Sequence, residues 1–372
     1  MEEKLRGLLS PGLLTSWLNP RSPSYLIYFV TARCNLACQT CFYWQEIESA
    51  SPKNELSPEE TEKIARTLPR LIQLTISGGE PFLREDLFPL LKPLIEKTRP
   101  LFLSIPSNGT LTERIVQTTE LLAVHYPWLS LNLELSLDGI SELHNQIRGK
   151  ESAFSDLLKS FEELKKLKKK YKNLRLAILT LLNALNQEKI FELLEYIKAK
   201  LNPDRMEVLF IRGLARNPAT QNLSIEKFKQ VSGWLDKENS QASKNFIDRL
   251  RAELAKQKRK LIIETVAQDK MLLPCKAGRK LLVMEPDGKV RACEMLDCIY
   301  PHPPAQLGLD NFLLGDLRAE NYDLKNILKS DRAKKILKFI LQSHCHCSYE
   351  CAMLANLVFS PSQMIKISLK AV

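Results

Sequence analysis

The chain has 372 residues, 44% of them hydrophobic and 26% charged, enough for one large α/β domain with a smaller one beside it and too apolar for a disordered chain. No uncharged run reaches the roughly 18 residues of a membrane span; the longest, Cys351 to Ile365, is broken by Pro361, and the leucines of Leu5–Leu18 are broken by Pro11 with no cleavage site behind them. The net charge of +11 is concentrated in two segments, Lys159–Lys172 and Lys244–Lys260, each with seven basic against two acidic residues. Both read as amphipathic helices with a solvated basic face, so no nucleic-acid partner is expected and peripheral contact with an anionic membrane stays open.

Short apolar runs alternate with longer periodic segments. Strands are expected at Tyr25–Thr31, Leu71–Ser77, Leu101–Pro106, Leu131–Leu137, Leu174–Leu181 and Arg205–Ile211. Helices are expected at Pro58–Thr67, where Ser57 and Glu60 make a capping box, and at Leu87–Lys97, Thr112–Val124, Ala153–Lys170 and Gln187–Lys200. Six alternating βα units imply a parallel sheet, open or closed as an incomplete barrel, with its chemistry at the C-terminal ends of the strands. After residue 216 the pattern changes. Two helices, Ser224–Asp236 and Asn245–Lys260, lead to a hairpin of Lys280–Met284 and Lys289–Glu294 around Asp287-Gly288, followed by a helix at Arg332–Gln342.

Nine cysteines cluster rather than scatter: three fall within eight residues and six lie beyond residue 274. Clustering without a signal peptide points to metal in a reducing, cytoplasmic compartment. Cys34, Cys38 and Cys41 follow the first strand at C-x3-C-x2-C spacing, which suits an iron–sulfur cluster with one iron left open. A zinc site with a remote fourth ligand and three buried thiols are the alternatives. Later strands end in Gly78, Gly79 and Glu80, in Ser107 and Asn108, and in Ser136 before Asp138, His144 and Arg148. Paired glycines let a ligand approach backbone donors, and an arginine can clamp a carboxylate, so these strand ends suit a zwitterionic, ribose-bearing ligand. Taken one at a time, each is also an ordinary turn.

In this order CNLACQTCF, SGGEP, PSNG, SLDG and HNQIRG resemble the radical S-adenosylmethionine (SAM) superfamily over about residues 24–215. The resemblance implies a partial (β/α)6 barrel and a 4Fe–4S cluster on Cys34, Cys38 and Cys41, with SAM chelating the fourth iron. It puts Phe42 beside the adenine, Gly78, Gly79 and Glu80 at the methionine amino group, Ser107, Asn108 and Ser136 near ribose and carboxylate, and Arg148 at the carboxylate. Asn145 stands where an aspartate is common. The implied reaction is one-electron cleavage of SAM to methionine and a 5′-deoxyadenosyl radical, which the protein positions and shields.

The C-terminal cysteines resemble the SPASM or "twitch" extension of that superfamily. Cys275, Cys293 in a G-x4-C element, and two of Cys345, Cys347 and Cys351 are expected to hold one auxiliary 4Fe–4S cluster, with Cys347 and Cys351 preferred; zinc in the same thiolates is the alternative. The expected organisation is an N-terminal extension (1–23), a barrel (24–216), a helical linker (217–270), an auxiliary-cluster domain (271–358) and a tail (359–372). The expected function is hydrogen abstraction from an unactivated carbon of an unidentified substrate, ending in oxidation, cross-linking or epimerisation, with flavodoxin or ferredoxin as electron donor. The 24 residues before the first strand are too few for a leader-binding domain, which lowers a peptide substrate. The leucine-rich ends leave a lipid-linked one open. The rival class is a non-catalytic iron–sulfur or zinc scaffold, which would have no need of the SAM-facing residues.

Overall fold

The computed structural model describes residues 17–19, 22–242 and 246–371. Most of the leucine-rich segment Leu5–Leu18 lies outside these residues. In chain order the elements are β1 (Tyr25–Thr31), α1 (Pro58–Ala65), β2 (Gln73–Gly78), α2 (Leu87–Thr98), β3 (Phe102–Ser107), α3 (Thr112–His125), β4 (Ser130–Ser136), α4 (Glu142–Arg148), α5 (Ala153–Lys170), β5 (Leu174–Leu182), α6 (Ile190–Tyr196) and β6 (Arg205–Phe210). They form a parallel sheet with helical crossovers, the partial barrel of six βα units.

β1 is buried along its whole length. This is why YLIYFVT is a continuous apolar run rather than an alternating one: a parallel strand is covered on both faces. α5 buries Leu157, Phe161, Leu164 and Leu167, and its lysines face water, as its periodicity dictates. α1 starts on the expected capping box: Ser57 N donates to Glu60 Oε2 at 2.9 Å, and Glu60 N to Ser57 Oγ at 3.3 Å.

Beyond the barrel come α7 (Ile225–Ala242) and α8 (Phe246–Gln268), then the hairpin β7 (Leu281–Met284) and β8 (Lys289–Arg291), and β9 (Leu313–Asp316). β7 lies parallel to β1, with Tyr25 opposite Leu281, so the sheet order is β6-β5-β4-β3-β2-β1-β7-β8-β9. The hairpin therefore continues the barrel sheet at its first strand instead of standing apart from it. Three helices close the chain: α9 (Asp331–Gln342), α10 (Glu350–Val358) and α11 (Pro361–Lys370). The segment expected as a tail is thus largely helical, and Trp17 is tied to this end, its Nε1–H donating to Val358 O at 2.8 Å. Among the described residues no helix is long and apolar enough to cross a membrane.

Candidate functional site

The cysteine loop leaves β1 at its C-terminal end. Its entry is locked by charge: Arg33 pairs with Glu55 through two contacts of 3.0 Å, and the buried Arg84 stands 3.4 Å from the same carboxylate and donates to Val30 O and Leu56 O. Its far side leans on α4, whose C-cap Gly149 has φ +69°; a Cβ there would stand 2.7 Å from Ala37 O, so no larger residue fits without displacement.

Burial pushes all three thiols up, Cys34 to about 12 and Cys41 to about 11, and a thiolate at Cys38 would raise Cys34 and Cys41 further. Thiols so placed stay neutral unless a cation takes the proton's place, which is the chemistry of a metal-binding set. Arg148 supplies a fixed positive charge: its Nη1 is 3.9 Å from Cys38 Sγ and its Nη2 is 2.7 Å from Asp138 Oδ2.

Asp138 is fully buried, and Leu181 N donates to its Oδ1 at 2.8 Å. Burial raises its carboxyl while Arg148 opposes the shift. His144 accepts from Asp138 N at 3.1 Å, and burial lowers its pKa to about 3, so the ring is neutral. Asn145, the departure from the motif, accepts from Phe154 N at 2.9 Å, a role an aspartate would fill equally.

The other expected ligand-facing residues divide into two groups. Gly79 N and Glu80 N donate to Thr31 O and Arg33 O at 2.8 and 2.9 Å. A Cβ on Gly78 or Gly79 would meet those same two carbonyls at 2.1 Å. The paired glycines therefore let the β2 loop press against the cysteine loop, and these two backbone donors are already used. Glu80 is buried and raised to about 7 by burial; it accepts from Ser107 Oγ (2.9 Å) and Asn108 N (2.8 Å). The Asn108 side chain bonds to Asn35 and Thr110. Glu80, Ser107 and Asn108 thus form one scaffold that ties three strand ends together. Ser136 and Phe42 are half-buried, and Ser136 makes no side-chain hydrogen bond among the described residues.

Sequence reasoning missed Arg212 and Gly213. The guanidinium of Arg212 lies 5.2 Å from the Phe42 ring centre and 4.8 Å from that of Tyr349. Arg212 Nη1 is 2.9 Å from Glu350 Oε2, and Nη2 is 3.8 Å from Glu294 Oε2. Gly213, at φ +70°, packs so closely that a Cβ would stand 2.8 Å from Phe42 Cβ. The signal was available: the strand-end rule, applied to the first four strands, points equally to the residues after β6.

At the second site the thiols of Cys275, Cys345 and Cys347 line one cavity with Leu272, Leu273 and Met353. Cys293, buried and raised well above its usual range by burial, lies within the electrostatic reach of all three. Cys351 points elsewhere. Burial raises it to about 11, and its thiol meets the hydroxyls of Tyr25 and Tyr349. The structure therefore gathers Cys345 and Cys347, rather than the preferred Cys347 and Cys351, with Cys275 and Cys293. The reason is helical: Cys351 is on the first turn of α10, and its side chain faces β1. Among the described residues no three His, Cys, Asp or Glu side chains are drawn together tightly enough for a single metal ion as they stand.

The family model for the radical SAM superfamily matches residues 28–197. The AdoMet-dependent heme synthase of Methanosarcina barkeri is 25% identical over 287 residues, 74% of this chain and 78% of that protein. The GTP 3′,8-cyclase of Aliarcobacter butzleri is 25% identical over 183 residues, and the chain spans only 53% of it. In fold the chain is similar to native anSMEcpe with bound AdoMet (TM-score 0.57, 18% identity, 93% and 100% of the two chains) and to Streptococcus suis SuiB (TM-score 0.56, 17% identity, 84% and 66%). Enzymes of this superfamily bind a 4Fe–4S cluster and SAM, and residues 28–197 of this chain, a little under half of it, form a radical SAM domain.

Proposed function

We propose that Cys34, Cys38 and Cys41 hold the 4Fe–4S cluster that binds SAM, and that Cys275, Cys293, Cys345 and Cys347 hold one auxiliary 4Fe–4S cluster. When bound, cluster and SAM supply the 5′-deoxyadenosyl radical that takes hydrogen from an unactivated carbon of the substrate. The chain's own groups then have separate tasks. Arg148, fixed by Asp138, offsets negative charge at the thiolates. Glu80 holds the Ser107–Asn108 turn, and Phe42, braced by Arg212, presents an aromatic face for the adenine. A small acidic redox protein such as flavodoxin or ferredoxin is the electron donor in this reading.

The observation that carries the proposal is the set of three desolvated thiols on one loop at the end of β1, with a fixed guanidinium 3.9 Å from the middle one. Anaerobic reconstitution followed by SAM and a reductant tests it. The expected results are 5′-deoxyadenosine and about eight irons per chain, four for each cubane. Four irons and one zinc would make the second site structural.

A second reading concerns the substrate. The likeness to an AdoMet-dependent heme synthase spans 74% of the chain, whereas the likeness to SuiB, solved with precursor peptide SuiA, is one of fold at 16% identity. The former favours an iron porphyrin or related tetrapyrrole over a peptide. Titrating the reconstituted enzyme with an iron porphyrin should shift the porphyrin's absorption band; no shift at saturating protein would return the peptide to first place.

A further inference from the structure

α11 carries Ile365 and Leu369 one turn apart, 61% and 71% exposed, while Ile367 between them is buried. Scattered exposed aliphatics are ordinary, but two at i and i+4 on one helix form a stripe. Leu18, 59% exposed, belongs to the same end of the molecule. Its neighbour Trp17 is bonded to Val358, three residues before α11 begins.

The rim of this stripe is basic. Lys366 and Lys370 are exposed on α11 itself. Lys370 Nζ lies 3.8 Å from Glu253 Oε1, so Glu253 marks the face of α8 that runs beside α11. Lys256 and Lys260, three and seven positions beyond Glu253, share that face and are exposed. The facing acids are Glu253 and Glu264, the latter 3.6 Å from Lys260. Four lysines against two glutamates leave a positive border around an aliphatic pair.

We propose that this face docks on the surface of an anionic lipid bilayer. Ile365, Leu369 and Leu18 enter the boundary between headgroups and acyl chains, and Lys256, Lys260, Lys366 and Lys370 meet lipid phosphates. An amphipathic helix lying in the interface plane has this anatomy, and juxtaposed lysines add affinity that salt screens. Charge decides against a second copy of the chain, because a two-fold contact through this stripe would bring the same four lysines together. The proposal is independent of the cluster assignments.

The test is co-sedimentation of the full-length reconstituted protein with vesicles of phosphatidylcholine alone or mixed with phosphatidylglycerol. The expected result is partitioning onto the anionic vesicles, at least about tenfold stronger than onto phosphatidylcholine alone and weakened by added salt. The double variant Ile365→Glu/Leu369→Glu should lower it by about tenfold or more. Leu121→Glu/Val124→Glu, at two exposed apolar residues of α3, should not. Unchanged circular dichroism secures the comparison, since all four residues are exposed, from 43% at Leu121 to 71% at Leu369. Failure of the wild type to partition, or equal partitioning by Ile365→Glu/Leu369→Glu, overturns the proposal. So does a wild-type dimer that this double variant converts to monomer, or vesicle binding that appears only after residues 1–16 are removed, which would mean that segment covers the stripe.

Discussion

Arg212 stacks on Phe42 at 5.2 Å, fastening the second residue past β6 to the residue that follows Cys41. Its other face meets Tyr349, which stands between Cys347 and Cys351 in sequence, so one guanidinium touches neighbours of both cysteine sites. Buried among Glu350, Glu294 and two rings, it stays charged, since the carboxylates outweigh the burial that would lower it. Arg212→Lys keeps the charge but loses the planar face that covers Phe42. We expect iron content unchanged and SAM affinity lowered by roughly two- to fivefold, the effect of a weakened rather than a lost cation–π contact, about 0.5–1 kcal/mol. Equilibrium binding of SAM to the reconstituted variant, with iron assayed in parallel, checks this.

Arg148→Ala would leave Asp138 buried without its counter-charge. Removing one partner of a buried pair costs about 3–5 kcal/mol, and the pair here is 2.7 Å apart. The double variant Asp138→Asn/Arg148→Ala should recover part of that loss, because no buried charge remains. Urea denaturation of the three proteins reads the difference. A single variant as stable as wild type would mean that water reaches Asp138.

The six barrel strands and most of their helices were legible because each signal was local: continuous apolar runs for strands covered on both faces, and a 3.6 period for the helices. β4 and β5 fall within a residue of expectation, and α5 on it. The motifs after the first four strands come together, but sequence could not say which groups face a ligand and which brace one another. Glu80, Ser107 and Asn108 are consumed by each other and by Asn35 and Thr110. Tertiary pairing was equally hidden. β7 reads as half of a local hairpin, yet it lies beside β1, more than 250 residues away in sequence. Which of Cys345, Cys347 and Cys351 shares a cavity with Cys275, and so which pair is the choice proposed as ligands, turns on the direction of a helix turn that spacing alone does not encode.

That choice can be checked directly. Cys345→Ser should lose the C-terminal cluster, about four irons per chain, and keep SAM cleavage. Cys351→Ser should retain both clusters, since its thiol meets Tyr25 and Tyr349 instead of the other cysteines. Iron analysis with Mössbauer spectra of the two variants decides, and the reverse pattern would restore Cys351 as the ligand.

The stability of the metal-free protein should depend on pH through Glu285. Burial raises this carboxyl to about 7, against the pull of Arg291, whose Nε is 3.1 Å away. A carboxyl with a raised folded pKa holds its proton longer in the folded than in the unfolded state. Its contribution is therefore full below about pH 4.5 and declines as pH rises towards 7, by at most about 3 kcal/mol. Glu285→Gln keeps an acceptor for Arg291 and cannot titrate, so the slope between pH 5 and 7 should flatten in urea melts of the variant. An unchanged slope would assign the dependence to other groups, Glu80 first among them.

The central claim is that the three thiols of the β1 loop carry the cluster that cleaves SAM. The most direct measurement is 5′-deoxyadenosine formed under anaerobic conditions with SAM and dithionite, wild type against Cys38→Ala, with iron assayed in both. Cys38 is the thiol beside Arg148, and the loop offers no fourth cysteine to replace it. The account predicts steady 5′-deoxyadenosine from the wild type, none above background from the variant, and a loss of about four irons. Undiminished 5′-deoxyadenosine from a Cys38→Ala protein would contradict it.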